Sequence, residues 1–441
     1  MAGGTWIDQN KLRPGVYINY KTSPASLAQM GERGKVVIGW ASDWVETGKF
    51  YTIEDPSDCE KLGHAITDDE MLFIRQILKG TNRSKGASKI LVYALPTTGG
   101  AAASATLGEL LVEAVREGTG GNNLSVAVEQ ADDVWHVKTF WSKELVDDQE
   151  VTDYEELTEN SYVTFTGTGA PVAGSAVLEG GTNGVAENAS YADMLTALET
   201  ESFDILIYDG TDATLKSLFA DFVKSQSNDE GIKCQAVLSD YPNADNECVI
   251  SVYPQSITLI DGTVLAPEQV TWWVGGASAG ANVNESLTYA NHPDAAQVEP
   301  RLNKSQQEAA ISNGQIAFIA QFEKIQVLTD INTFTSFSTN RDKALRKNRV
   351  IRTIFGLCND IFKLFALYYI GVTNNDDDGR KALKGEILNL MDRYQGNRAL
   401  QNVEVDDVTV IKGVDIDAVV IEIMLQPVDS IEKIYINITI S

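Results

Sequence analysis

Apolar positions fall into short strand-like runs that alternate with amphipathic segments. Residues 36–40 and 89–95 predict two buried strands, and the apolar spacing over residues 71–78 predicts a short helix between them. The same rhythm returns later, with helices predicted around residues 194–198 and 215–223 and strands at 203–208 and 232–238. Strands that alternate with helices are typical of an α/β layer. We therefore expect residues 25–96 and 185–299 to form one central α/β domain.

Residues 97–184 have a different character. Strand-like runs at 124–128, 134–141 and 162–166 are separated by acidic or Gly-rich turns, which predicts a β-rich domain inserted into the central one. Residues 107–115 fit a helix about as well as a strand, so both alternatives stay open there.

The last third, residues 300–441, is predicted to be a C-terminal α/β domain. A capping-box pattern at residues 305–308 predicts the start of a helix. A second helix is predicted to start near Gly379, behind the acidic residues 376–378. The clearest helix lies between them, with a predicted buried stripe made of Ile351, Ile354, Phe355, Cys358, Ile361, Phe362 and Phe365.

Both ends of the chain are predicted to be extended arms. In residues 1–24, a turn at 13–15 precedes alternating apolar positions, and nothing nearby could pair with such a strand. In the C-terminal arm, about residues 412–441, isoleucines at 434, 436, 438 and 440 alternate with other residues. A terminal strand so regular and apolar is prone to aggregate unless its edge is paired. The predicted fold class is therefore a multidomain α+β or α/β protein with two arms that need partners.

Charge narrows the range of partners. The chain has 441 residues and a formal net charge of −27, which argues against free nucleic acid as a partner. Residues 97–180 are the most acidic block, with fifteen acidic and three basic side chains. The longest apolar run, 364–370, is far shorter than the ~20 residues that span a bilayer, and the N-terminus lacks a signal-peptide pattern. We expect neither membrane insertion nor Sec export.

The sequence offers few candidates for chemistry. Residues 203–211 resemble the phosphatase loop in which a first Asp is the nucleophile, but Ile207 occupies that position and Asp209 the next Asp position. Residues 374–379 resemble the start of a calcium loop, yet its twelfth position is Gly385 and Glu386 comes one residue late. Helix capping is the preferred interpretation there.

The sequence also lacks the residue patterns that other kinds of functional site require. The Gly-rich stretches 180–184 and 275–280 lack the Lys-Ser/Thr of a phosphate loop, and the three histidines have no metal-ligand spacing. The four cysteines are far apart, which argues against a zinc ribbon and a disulfide scaffold and favours a reducing compartment. We therefore expect no catalytic residue, no cofactor and no metal.

One basic stretch departs from the acidic background. Residues 341–352 hold six basic side chains and one acidic side chain. Arg346, Arg349 and Arg352 lie roughly opposite the apolar stripe of the predicted helix. Two interpretations remain open, a solvated helix face and a docking surface for an acidic partner.

Several segments together resemble the tail sheath proteins of contractile-tail phages and phage-tail-like particles. The matches follow the order of that family along the chain, although only the boundaries match over residues 97–180. The matching segments are 13–17 (RPGVY), 34–40 (GKVVIGW), 178–184 (LEGGTNG), 284–289 (NESLTY), 330–335 (DINTFT) and 426–435 (QPVDSIEKIY).

The resemblance implies a non-enzymatic subunit that polymerises as stacked rings around an inner tube and contracts to drive the tube through a cell envelope. It implies that the arms exchange strands between subunits, through Val16, Tyr17, Ile18, Ile434, Ile436, Ile438 and Ile440. Sheaths of this kind touch the tube through a C-terminal-domain helix, and we assign that contact to Arg341, Lys343, Arg346, Arg349 and Arg352.

The implied partners are further copies of the chain, the tail tube protein, and baseplate and tail terminator proteins. The implied location is a virion tail or a phage-tail-like particle assembled in the bacterial cytoplasm. Two alternatives belong to other classes: a hydrolase with Asp209 at its site, and a surface-array protein, which would need an export signal.

Overall fold

A computed structural model of the chain describes residues 29–131 and 134–440. The predicted strand of the N-terminal arm, with Val16, Tyr17 and Ile18, lies outside the described residues. Within the described ranges, no helix is both long enough and apolar enough to cross a lipid bilayer.

The first described elements start a parallel sheet. They are β1 (Lys35–Ala41), β2 (Phe50–Ile53), α1 (Leu72–Leu78) and β3 (Lys89–Leu95). Strand β1 pairs in parallel with β3 over its whole length, from Lys35 opposite Lys89 to Ala41 opposite Leu95. Strand β2 pairs antiparallel with β3 and forms the edge of the sheet. The apolar runs that predicted β1 and β3 are buried on both faces, as in other parallel sheets.

The chain then leaves this sheet to form a β-sandwich. Its strands are β4 (Thr97–Thr98), β5 (Ala102–Leu107), β6 (Leu110–Glu117), β7 (Leu124–Ala131), β8 (Val134–Trp141), β9 (Glu144–Val151), β10 (Val163–Thr166), β11 (Gly174–Val177) and β12 (Val185–Ala186). One sheet has the order β10-β6-β5 and the other β11-β7-β8-β9. The segment that periodicity left open is a strand hairpin, because residues 110, 112 and 114 are buried and alternate with more exposed ones.

The parallel sheet resumes after β12. The next elements are α2 (Asn188–Leu198), β13 (Ile205–Tyr208), α3 (Ala213–Asn228), β14 (Gln235–Ser239), β15 (Val249–Val252), β16 (Ser256–Leu259), β17 (Val264–Leu265), α4 (Val270–Gly280) and β18 (Ala295–Glu299). Strand β13 pairs with β1, with Val36 opposite Ile205. Segments before and after the sandwich therefore share one sheet.

The remaining elements are α5 (Lys304–Ser312), β19 (Gln315–Ile316), β20 (Phe318–Gln321), β21 (Lys324–Val327), α6 (Asn348–Tyr368), α7 (Asp377–Gly396), β22 (Val408–Lys412) and β23 (Val419–Ile423). Strand β19 completes a seven-stranded sheet of order β19-β15-β14-β13-β1-β3-β2. The predicted capping box at 305–308 is wrong. Helix α5 is capped by Asn303, which exchanges side-chain and backbone hydrogen bonds with Gln306.

Helices cover both faces of the seven-stranded sheet. Helices α1 and α4 bury Ile77 and Trp273 on one face, and α2 and α3 bury Met194 and Phe219 on the other. Helix α4 contains the Gly-rich stretch 275–280. A Cβ at Gly276 would overlap the carbonyl oxygen of Ile77, so glycine lets α4 approach α1 closely. With the sandwich and the helical C-terminal part, the predicted multidomain α+β fold class is confirmed.

Helix α6 differs from the predicted one-sided stripe. Its first half packs against the sheet layer through Ile351 and Phe355, and against α7 and β22 through Leu357. Phe362, predicted to be buried, is 52% exposed. The start of α6 is thus enclosed on several sides, whereas its last two turns bury Leu364 on one side and expose Phe362 and Leu367 on the other.

The C-terminal segment is held to the subunit only at its start. Residues 424–428 form backbone hydrogen bonds to Asp407, Gln401 and Ala399, whereas residues 433–440 form none with the rest of the described chain, and residues 424–440 contain no strand. Residues 434–440 form no strand in the single subunit, because a strand needs a hydrogen-bonded neighbour, so the strand expected to pair with another subunit stays a prediction. Its isoleucines are exposed, with Ile440 at 93%.

Candidate functional site

Four segments singled out in the sequence meet at the start of α6. These are residues 284–289, 330–335, the basic stretch 341–352 and residues 426–435, and Asp330 lies where they join. Its side chain is completely shielded from solvent, and that of Arg352, with which it forms an ion pair, is 2% exposed. Burying such a pair is tolerated only when the remaining hydrogen-bonding capacity is also satisfied.

The Asp330 carboxylate satisfies this condition, whereas the Nε of Arg352 is buried without a hydrogen-bond partner. The Oδ2 of Asp330 accepts hydrogen bonds from the Arg352 guanidinium and from the backbone N–H of Leu287 at 2.9 Å. Its Oδ1 accepts one from the side-chain amide of Asn348, also at 2.9 Å. Its backbone N–H donates to Thr288 Oγ1 at 3.0 Å. Asp330 therefore ties the central loop 287–288 to the first turn and a half of α6.

Glu432 extends this network to the root of the C-terminal arm. The hydroxyl of Thr288 donates to Glu432 Oε1 at 2.8 Å, and Lys347 forms an ion pair with Oε2. The two ion-pair side chains are only 24% and 15% exposed. The backbone N–H of Val428 also donates to the Ala399 carbonyl at 2.9 Å. We call residues 426–432 the arm root and residues 433–441 the terminal arm.

The structure corrects the expected basic face. Arg346 and Arg352 are buried inside the subunit, and Arg349 is half-buried. Burial lowers the pKa of Arg346 and of Arg349, the latter opposed by the charges of Asp429 and Glu432. The expectation that Arg346 and Arg352 form an exposed stripe is wrong, because the start of α6 is enclosed.

The other two residues of the expected face lie at the surface. Arg341 pairs with Glu247 and covers the ring of Phe334, with 4.5 Å from its guanidinium carbon to the ring centre. Lys343 is exposed.

The opposite end of α6 presents an apolar surface that the sequence analysis did not identify. Five large apolar side chains are exposed there: Phe362, Leu367, Tyr368, Ile370 and Val372. We call residues 362–372 the α6 tip. Clustered exposed apolar side chains mark interaction sites. The available signal was the apolar run 364–370, which we considered only as a membrane segment.

A second docking feature is the hairpin of β22 and β23. It is a separate two-stranded sheet in which Val408 pairs with Ile423 and Lys412 with Val419. A two-stranded sheet has two outer edges whose backbone groups can pair with an added strand. The inner side of the hairpin packs on α7 through Val408, so the hairpin is held in place.

The contacts of Asp209 are those of a residue with a structural role. It follows β13 and accepts a hydrogen bond from the indole N–H of Trp272 at 2.7 Å, and burial raises its pKa. Ile207, at the nucleophile position of the resembled phosphatase loop, is buried where α4 crosses at Gly275. The hydrolase alternative therefore has no support in this arrangement.

The calcium-like segment has an equally local explanation. The Asp376 side chain accepts the backbone N–H of Gly379 at 2.8 Å and caps α7. Across residues 29–131 and 134–440, no three His, Cys, Asp or Glu side chains are grouped so that they could hold a metal ion.

Comparisons with known proteins agree along the whole chain. Residues 98–183 match the family model of the phage tail sheath protein beta-sandwich domain, 184–333 that of the central domain, and 340–441 that of the C-terminal domain. The chain is 33% identical to the phage-like element PBSX protein XkdK of Bacillus subtilis, with 100% of both chains covered.

Solved structures give the same result. A sheath tail protein of Desulfitobacterium hafniense is 40% identical, with a TM-score of 0.82 over 96% of this chain and 99% of that one. The contracted helical sheath of the anti-feeding prophage shares the fold, at 15% identity and a TM-score of 0.57 over 97% of this chain and 98% of that one.

Proposed function

Because the chain belongs to the phage tail sheath family, we infer that it is a structural subunit of a contractile tail sheath. The observation that carries this conclusion is the ordered match of all three sheath domain models, over residues 98–333 and 340–441. Copies of the chain assemble with one another into the helical sheath of a phage tail or a phage-tail-like particle.

We propose a domain division that modifies the expected one. The central domain takes residues 25–96 and about 185–333, since β19 belongs to the seven-stranded sheet although it lies beyond residue 299. The inserted sandwich takes residues 97–184, and the C-terminal domain follows. The acidic sandwich faces outward, where its like charges are best solvated.

We propose that the terminal arms link subunits by strand exchange. The support is that the subunit has both a segment that could be added as a strand and a hairpin edge that could accept it. The isoleucines at 434, 436, 438 and 440 are exposed on an unpaired segment, and no other strand of residues 29–131 and 134–440 pairs with the outer edges of the β22–β23 hairpin. Val16, Tyr17 and Ile18 of the N-terminal arm supply the second added strand. Strand addition joins subunits through backbone hydrogen bonds and leaves the domains free to rotate.

We propose that the inner tube is contacted by the α6 tip instead of by the basic stretch. The support is that this apolar surface belongs to a C-terminal-domain helix, whereas Arg346 and Arg352 are buried. Arg341 and Lys343 remain available as peripheral charges. Baseplate and terminator proteins cap the sheath ends, the particle assembles in the bacterial cytoplasm, and contraction drives the tube through a cell envelope.

Deletion of residues 434–441 tests the strand-exchange linkage. The truncated subunit should keep the circular dichroism spectrum and Tm of the full chain, because the side chains of residues 434–440 are exposed. Electron microscopy should show rings or hollow tubes for the full chain and none for the truncated one. Tubes of normal length from the truncated subunit would show that the C-terminal arm is not the link.

A further inference from the structure

The terminal arm has a pattern that leaves its register open. Isoleucine occupies every second position from Ile434 to Ile440. A slip by one residue would turn every isoleucine to the opposite face of an acceptor sheet, but a slip by two would place isoleucine on isoleucine again. The isoleucines thus select the face of the acceptor sheet and discriminate poorly between registers about 6.8 Å apart. A feature other than the isoleucine repeat must therefore select one register.

Glu432 lies two residues before the repeat, and the subunit holds it firmly. Lys347 and Thr288 contact one carboxylate oxygen each. Thr288 is itself fixed, because its Oγ1 accepts the backbone N–H of Asp330, which is locked to Arg352. The carboxylate is therefore attached to the junction of the central loop and α6, which is a buried part of the fold. By contrast, Ile434 and the later isoleucines are exposed.

We propose that Glu432 is a positioning residue that sets the register in which the terminal arm enters the neighbouring subunit. The inference rests on the strand exchange proposed above. Two residues span at most about 7 Å, so Lys433 and Ile434 have no slack for a two-residue slip while Glu432 stays on Lys347. A subunit with an intact anchor offers its neighbour a single register. Loss of the anchor makes neighbouring registers accessible.

The test compares anchor variants with matched surface controls. Lys347→Gln and Glu432→Gln should still fold, with a Tm at most about 8 °C below that of the natural chain, because the pair is mostly shielded but the glutamine amide can still hydrogen-bond to the remaining partner. Their tubes should be shorter and should separate into more than one class of twist and rise by cryo-electron microscopy. The concentration for half-maximal assembly should rise about tenfold, which corresponds to about 1.4 kcal/mol. The double variant Lys347→Glu, Glu432→Lys should restore uniform tubes.

Lys304→Gln and Glu308→Gln are the controls, because they remove an exposed ion pair that lies outside the terminal arm and outside the proposed tube contact. Insertion of Gly-Ser between Lys433 and Ile434 lengthens the tether without touching the anchor, so it should produce the same mixed registers. Uniform tubes from the insertion or from both anchor variants would overturn the proposal, as would equal defects in the controls. If the deletion of residues 434–441 still assembles, strand exchange fails instead.

Discussion

The buried ion pair between Arg352 and Asp330 leads to the most quantitative prediction, that Arg352→Met destabilises the subunit. The substitution removes the guanidinium and leaves the fully buried Asp330 carboxylate with two neutral donors, Asn348 and the Leu287 N–H. Removing one partner of a buried pair costs about 3–5 kcal/mol. The two remaining donors place the expected loss near the lower limit, at about 3 kcal/mol.

The loss should be visible as a lower Tm. At about 2–4 °C per kcal/mol for a domain of 150–250 residues, 3 kcal/mol corresponds to about 6–12 °C. Thermal unfolding followed by circular dichroism, with Lys343→Met as an exposed control, measures the shift. Adding Asp330→Asn to Arg352→Met removes the uncompensated charge and should recover at least half of the loss in Tm. A shift of Arg352→Met below about 2 °C, like that of the control, would refute the reasoning.

This prediction also changes how charge reversal should be interpreted. Arg352→Glu would place a second carboxylate beside Asp330 in a buried site, so it should prevent folding. A sheath that fails to assemble with this variant would report on the stability of the subunit. It would carry no information about contact with the tube.

Three further predictions concern local structure. Gly118→Ala should destabilise the subunit by more than about 2 kcal/mol, because φ at Gly118 is 128° and a Cβ there would overlap the Asp43 carbonyl oxygen. Gly108→Ala should cost only about 1 kcal/mol, because Gly108 has a φ of 60° but lies in open space. Equal losses in Tm for the two variants would contradict this prediction. A hydrogen bond to Asp43 raises the pKa of His64 in the folded protein. The stability that this interaction gives the fold is therefore complete below the pKa of histidine in the unfolded chain, about 6.5, and is lost as pH rises through the folded pKa. The Tm advantage of the natural chain over His64→Gln should therefore shrink from pH 6 to pH 8.5, and a constant difference would exclude the effect. Phe322 and Glu323 form the β20–β21 turn with φ of 52° and 59°, a conformation that Asn and Gly adopt more easily. The double variant Phe322→Asn, Glu323→Gly should therefore raise the free energy of unfolding in urea by about 1–2 kcal/mol. No gain would show that the turn is unstrained.

The sequence identified four of the seven strands of the central sheet, β1, β3, β13 and β14, because their apolar runs are continuous, and it did not identify β2, β15 or β19. It did not identify α4, whose residues 270–279 are all buried and therefore show no amphipathic period. Gly276 of this helix is required by its contact with Ile77, about 200 residues earlier, and sequence spacing cannot show such a contact.

The basic stretch failed as a prediction for a related reason. A helical projection assumes one buried side, but the start of α6 is packed between two layers. The partner of Arg352 is Asp330, 22 residues earlier on a different element. Motifs that occur in the same order as in the family nevertheless identified it. Three of these motifs meet at the arm root: residues 284–289, 330–335 and 426–435. Motifs that are weak separately can therefore mark one three-dimensional site.

The entry and exit of the inserted sandwich lie side by side. Strands β4 and β12 form a two-residue antiparallel ribbon in which Thr98 faces Val185 and Thr97 faces Ala186. Such a ribbon makes the sandwich an exchangeable cassette. A short turn from residue 98 to residue 185 would close the central domain, and a foreign domain with adjacent termini could be grafted at the same place. With the sandwich facing outward as proposed above, the particle surface could diversify by recombination while the central and C-terminal domains are inherited unchanged.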